Sequence, residues 1–116
     1  MEDDMRNIPV NLAGYRLTVS ENPEMKMRKV DGREEVVTDR EGVTKYTVAL
    51  MVKAKGEKGE EIRVTLDADP GEGFSEDEMT RVELIDPRVT PYSFKNDRGE
   101  TVSGVAWGAA GMKPLF

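Results

Sequence analysis

Three flat rings set among cations are the part of this sequence best equipped to do chemistry. Tyr92 and Phe94 stand two apart in the stretch Arg81 to Phe94, RVELIDPRVTPYSF, and Trp107 lies in its sequel Thr101 to Met112, TVSGVAWGAAGM. Arg88, Lys95, Arg98 and Lys113 are interleaved with them. A β-ribbon carrying rings among cations offers platforms on which unpaired bases stack while phosphates are neutralised. The competing reading is that the rings belong to the core, the commoner place for an aromatic in a small domain.

Catalysis has far less to rest on. The chain holds no cysteine and no histidine, which removes disulfides, zinc sites built on those ligands, thiol nucleophiles and proton relays through imidazole. Carboxylate pairs are plentiful among 23 acids, so no spacing singles out one pair as acid and base. Asp67, Asp69 and Glu78 occupy positions one, three and twelve of a calcium loop, but Gly71 at position five and Glu72 at position six break the pattern. The glycines at 71 and 73 precede no helix long enough to cradle a phosphate. The expectation is a protein that is not an enzyme, with no catalytic residue, no metal and no cofactor.

At 116 residues the chain is long enough for one modest core. Its net charge of −6 and isoelectric point near 4.8 argue, as single numbers, against a polyanionic partner. The distribution changes that. Glu2, Asp3 and Asp4 supply three negative charges, and Asp67, Asp69, Glu72, Glu76, Asp77 and Glu78 supply six more with no cation between them. Removing these nine leaves 14 acids against 17 bases, so the remaining surface can carry a basic stripe. The start, MEDDMRN, is acidic where a secretion signal would be basic and then apolar, and no apolar run is long enough to span a bilayer. A soluble, cytoplasmic protein with no membrane partner is expected.

The elements that must position the rings read as strands. Residues 1–7 are expected to form a flexible arm and residues 8–116 one domain. Tyr15, Leu17 and Val19 alternate with Arg16, Thr18 and Ser20, and Glu21-Asn22-Pro23-Glu24 reads as the turn that ends this strand. Residues 29–43 are densely charged and contain Asp31-Gly32, a hairpin-turn signal, so a projecting charged hairpin or loop is expected. Lys45 to Lys55 is the clearest strand: Tyr46, Val48, Leu50, Val52 and Ala54 share one face, with Lys45, Thr47, Ala49, Met51, Lys53 and Lys55 opposite. After a Gly56 to Gly59 turn, Ile62, Val64 and Leu66 face inward and Arg63 outward. Ser75-Glu76-Asp77-Glu78 has the form of a capping box, enough for one short helical turn. The strand from Arg81 changes phase near Ile85, putting Val89 and Pro91 on one side and Thr90, Tyr92 and Phe94 on the other. A last, glycine-rich strand runs from Thr101 to about Ala110, followed by a tail in which Leu115 and Phe116 dock. The fold class is all-β: a small five-stranded, OB-fold-like Greek-key barrel with at most one helical turn, in competition with an SH3-like barrel or an open sandwich.

The segment Arg88-Val89-Thr90-Pro91-Tyr92, followed by a charged turn and a strand ending Ala109-Ala110-Gly111-Met112-Lys113, resembles the small replication, integration and excision activator proteins of actinobacterial conjugative plasmids. The layout is also similar to OB-fold single-stranded-DNA-binding proteins of phages and mobile elements, and the likeness covers roughly residues 44 to 113. It implies an accessory role in plasmid or phage DNA replication or transfer, and no catalytic residue carries over. On this reading single-stranded DNA stacks on Tyr92, Phe94 and Trp107, while Arg16, Lys53, Lys55, Arg63 and Arg88 track its backbone. A replication or transfer protein and a second copy of the chain are the further partners considered. The alternative is a protein-interaction or regulatory module on the same small barrel, using a sheet edge or the acidic stretch 67–78.

Overall fold

The computed structural model describes residues 6–115, and among them every regular element is a strand. The alternation of apolar and polar side chains dictates the centre. Strand β2 (Tyr15–Met25), β5 (Tyr46–Ala54) and β6 (Glu60–Leu66) lie side by side as antiparallel neighbours, with Val19 opposite Leu50 and Leu50 opposite Ile62. Their inward residues Leu17, Val19, Val48, Leu50, Val64 and Leu66 are buried. Two further strands complete the core, β7 (Arg81–Ile85) through Val82 and Leu84 and β10 (Gly111–Pro114) through Met112.

A long ribbon joins the two flanks of this sheet. β7 pairs with β10, and β8 (Arg88–Lys95) pairs with β9 (Thr101–Ala109). The register does not change between the halves: Ile85 is opposite Gly111 and Arg88 opposite Gly108. The ribbon is therefore one antiparallel pair bent at Asp86-Pro87 on one arm and at Ala110 on the other. Asp86 takes a left-handed φ of 52°, and the Ala110 N–H still donates to the Ile85 carbonyl at 2.8 Å. The bend sends β7 against β2 and β9 against β6, the latter as a parallel pair with Val64 beside Trp107 and Leu66 beside Ala109. With β1 (Ile8–Pro9) on the outer edge of β8, the order is β1-β8-β9-β6-β5-β2-β7-β10. Pro9 lies on an edge strand, where a residue without an N–H donor is tolerated.

The charged segment forms a separate two-stranded sheet of β3 (Met27–Val30) and β4 (Arg33–Val36). Asp31 and Gly32, with φ of 52° and 79°, make its two-residue turn, the pair of positive values that a tight hairpin matching strand twist requires. Val37 N donates to the Lys26 carbonyl and Lys45 N to the Val37 carbonyl, tying the hairpin base to the start of β5.

Several expectations need correction. The all-β class stands, but among the described residues ten strands replace five, and the eight of the main sheet run in an order that ends on β1 and β10 instead of returning on itself. Bends that break each ribbon arm in two add two strands, and β1 and the β3–β4 hairpin add the other three. No helical turn forms among the described residues: the Ser75 hydroxyl does accept from the Glu78 N–H at 3.3 Å, but the chain makes only a hydrogen-bonded turn before entering β7. The expected Glu21 to Glu24 turn is strand, since irregularities between Val19 and Glu21 and between Glu21 and Glu24 let β2 run through to Met25. Bulged positions leave a residue outside the ladder, which is how Pro23 is accommodated. The expected tail is β10, with Met112 in the core; Leu115 is exposed, and Phe116 falls outside the described residues, as do residues 1–5 of the expected arm. Asn7, at the end of that arm, donates its backbone N–H to the Thr90 hydroxyl.

Thr47 and Ala49, expected on the solvent face of β5, are buried. Glu21 and Arg63 are the partners of Ala49 on the two neighbouring strands, and their side chains form an ion pair that passes over its methyl group. β5 is thus covered on both faces from Thr47 to Leu50. Leu50→Ala is expected to cost about 2–5 kcal/mol, a large share of the stability of a domain this size. A urea-denaturation midpoint within error of the parent protein would show that β5 is not the centre of the core.

Candidate nucleic-acid interface

Residues opposite one another in an antiparallel pair share a face, and this sorts the predicted site. On one face of the ribbon β8 contributes Arg88, Thr90, Tyr92 and Phe94, and their partners on β9 are Gly108, Ala106, Gly104 and Val102. Tyr92 and Phe94 are 45% and 52% exposed, with ring centroids 6.2 Å apart and planes inclined by 26°. That is within the range of an offset stack. A Cβ placed on Gly104 would meet the Tyr92 Oη at 2.6 Å and Cζ at 2.8 Å, so the phenol lies down across the bare backbone of β9. Gly108 does the same for Arg88, whose Nε and Cγ would stand 3.4 and 3.7 Å from an added Cβ. The glycines of the last strand make a low floor for the side chains of its neighbour.

Trp107 does not join the other two rings. It is in register with Val64 and with Val89 on the opposite face, and it packs against the core cluster. The structure brings two of the three rings together, both exposed.

The predicted cations fall into separate groups. Arg16 and Lys53 are opposite one another on β2 and β5, and with Lys55 and Arg81 they line a shallow basin of about 610 Å³ around Gly14 and Gly56. Among the described residues no carboxylate lines it. Arg63 is bound to Glu21. Arg88 is 23% exposed at its side chain and pairs with Asp67, which also holds Lys45 at 3.5 Å, while the Arg88 Nε donates to the Asn7 side-chain carbonyl at 3.2 Å. The acidic stretch 67–78 is therefore smaller in practice than in sequence, because Asp67 is committed to these two cations.

Sequence reasoning missed Lys26, Lys45 and Arg81 as site residues. Lys26, in the single-residue break between β2 and β3, donates to the Thr65 hydroxyl at 2.8 Å. With Lys45, Thr65, Arg88, Thr90 and Gly108 it lines a hollow of about 340 Å³ on the ring-bearing face. Burial, and secondarily the charge of Lys45, hold the Lys26 amine below its ordinary 10.5. Lys45 was placed on the outer face by its alternation within β5; nothing in sequence could place Lys26 beside it, because that requires the hairpin to fold back. Lys45 and Lys53 are eight residues apart on β5, so the hollow and the basin are separated by about 26 Å of strand.

No protein-family model matches the chain, and no curated protein matches it.

Two outcomes follow from this geometry. In solution the Gly104 α-protons are expected to resonate upfield under the Tyr92 ring, and Tyr92→Ala should abolish that shift while leaving the fold intact; unshifted α-protons in the parent protein would mean that the ring stands away from β9. The Lys26 amine is expected to titrate below 10.5 when followed by its ¹³Cε resonance. Because the native state then binds fewer protons at this site than the unfolded chain, the stability contribution of Lys26 rises with pH between the lowered value and 10.5. A titration midpoint at or above the ordinary value would remove the inference that the amine is desolvated.

Proposed function

We propose that this chain is a non-catalytic single-stranded-DNA-binding protein, an accessory to plasmid or phage DNA replication or transfer. The observation that carries the reading is the Tyr92–Phe94 stack, two exposed rings on the same ribbon face as Arg88 and beside the cationic hollow. Every base has a flat face, so such a stack accepts bases without selecting among them, and the cations on either side neutralise the backbone.

The same reading takes the fold as OB-like. Counting each bent arm as one strand, and setting aside the short edge strand β1 and the separate β3–β4 hairpin, leaves five: β2, β5, β6, β7–β8 and β9–β10. Support comes from the unbroken register of the ribbon, the antiparallel contact of β7 with β2 and the parallel contact of β9 with β6. In an OB-fold, ligands lie across the second and third strands between the loop joining strands one and two and the loop joining four and five. Here those loops are the β3–β4 hairpin with its flanks and the Asn96 to Glu100 turn, and the hollow is lined by Lys26, Val37 and Lys45 from the first and by Arg88 and Thr90 from the ribbon.

A protein-interaction module is the second reading, and the hairpin favours it. Met27 and Val36, directly opposite one another, are exposed on a two-stranded sheet that is no part of the main one, an apolar surface of the kind that partners cover.

The test is a titration of fluorescein-labelled oligo(dT) of about 12 nucleotides, a length within the range one such fold covers, with the full chain at low salt. Binding is expected to weaken as salt rises, with a slope of about −0.7 for each phosphate neutralised. Tyr92→Ala and Phe94→Ala should each lose about 1–3 kcal/mol. No anisotropy change at low salt would dismiss the DNA reading and leave the protein-interaction module.

A further inference from the structure

The hollow beside the ring pair has an arrangement of charge that packing alone does not account for. Three cations, Lys26, Lys45 and Arg88, line it, and Asp67 is the anion that pairs with two of them. Among the described residues no ion pair reaches Lys26, whose amine is held by the uncharged Thr65 hydroxyl alone. A half-buried amine facing a second amine is costly unless something negative offsets it, and its depressed proton affinity reflects that cost. The cavity, about 340 Å³, has room for a tetrahedral anion with part of its attached group. Donors of the needed kinds converge there: the Arg88 guanidinium, two ammonium groups, and the Thr65 and Thr90 hydroxyls. Asp67 accepts from Arg88 at a partly buried position, where a phosphoryl group would accept the same bonds through more oxygens, and with more charge where it is a monoester or free phosphate.

We propose that Lys26, Lys45 and Arg88 form a pocket for a phosphoryl group, which enters by taking the place of the Asp67 carboxylate. Asp67 then acts as a stand-in anion that keeps Arg88 and Lys45 poised and sets the threshold of affinity an incoming phosphate must exceed. The proposal deepens the DNA reading, and rests on it only for the source of the phosphate: the backbone of a strand stacked on Tyr92 and Phe94, or a small phosphorylated compound.

The probe is inorganic phosphate, titrated into the full chain and followed by the ¹³Cε resonances of Lys26 and Lys45. A saturable shift at both is expected. Lys26→Met should weaken phosphate binding by roughly tenfold or more, the loss of one charge-assisted hydrogen bond, Lys26→Arg should retain most of it, and Asp67→Asn should tighten it by removing the competitor. Asp67→Asn keeps the proposal testable should Lys26→Met fail to fold. Displacement of labelled oligo(dT) by phosphate in the parent protein, lost in Lys26→Met, supports the pocket with a DNA backbone as source. Saturable phosphate binding without oligo(dT) binding supports it with a small phosphorylated compound as source and ends the DNA reading. The pocket is overturned if phosphate causes no saturable shift at Lys26, an outcome that leaves the DNA reading standing.

Discussion

The unbroken register of the bent ribbon is the constraint on which the rest depends. A one-residue slip between its arms would exchange the two faces of every residue beyond the slip. Because Ile85 still meets Gly111 before the bend and Arg88 still meets Gly108 after it, the same pair of chains can put Val82, Leu84 and Met112 in the core at one end and present Tyr92 and Phe94 at the other. Asp86, in a left-handed conformation, absorbs the change of direction. Such a conformation costs an aspartate less than most residues, because its short side chain crowds the backbone little. The parallel contact of β9 with β6 is a matter of strand direction: β2 and β6 run the same way, the β7–β8 arm runs against β2, and β9, antiparallel to that arm, therefore runs with β6.

That register also explains why the last strand is made of small residues. Gly104, Ala106 and Gly108 alternate on the ring-bearing face, and glycine in a strand interior costs entropy and packing. Here the missing side chains are replaced from the facing strand, by the Tyr92 ring over Gly104 and the Arg88 stem over Gly108. The Tyr92 ring is consequently held along the sheet surface, which on the proposed reading lowers the entropic cost of stacking a base.

What could be read in sequence was local. The buried faces of β2, β5 and β6, the Asp31-Gly32 turn and the phase of Val89, Pro91, Tyr92 and Phe94 all follow from a period of two or from turn chemistry. What could not be read was relational. The period of two puts Trp107 with Val105 and Ala109, but which side that group faces is decided by Leu66, the partner of Ala109 on a strand some forty residues earlier. Arg63 looked free because its partner Glu21 lies 42 residues away, and the same distance hid that Ala49 would be covered. The Glu21 to Glu24 segment was misread because proline and asparagine signal turns locally, whereas bulges let a strand carry them when its neighbours supply enough pairing on either side.

The apparent conflict between an acidic chain and the proposed polyanion ligand resolves in the same relational terms. Net charge governs long-range encounter, and at physiological ionic strength its influence fades within about 8 Å, so a strand at the surface responds chiefly to charges near it. Glu21 and Asp67 are paired with Arg63, Lys45 and Arg88, and among the described residues the basin around Arg16, Lys53, Lys55 and Arg81 has no carboxylate in its lining. The acids nearest the site thus neutralise individual cations while leaving Lys26 and the basin positive. A ligand with a single negative charge gains little by displacing such a pair, since it offers the cations no more than the carboxylate already does. On the proposed reading, a ligand that offers stacking surface together with several phosphates gains on both counts at once, which makes the acidic pairs a filter against small singly charged anions.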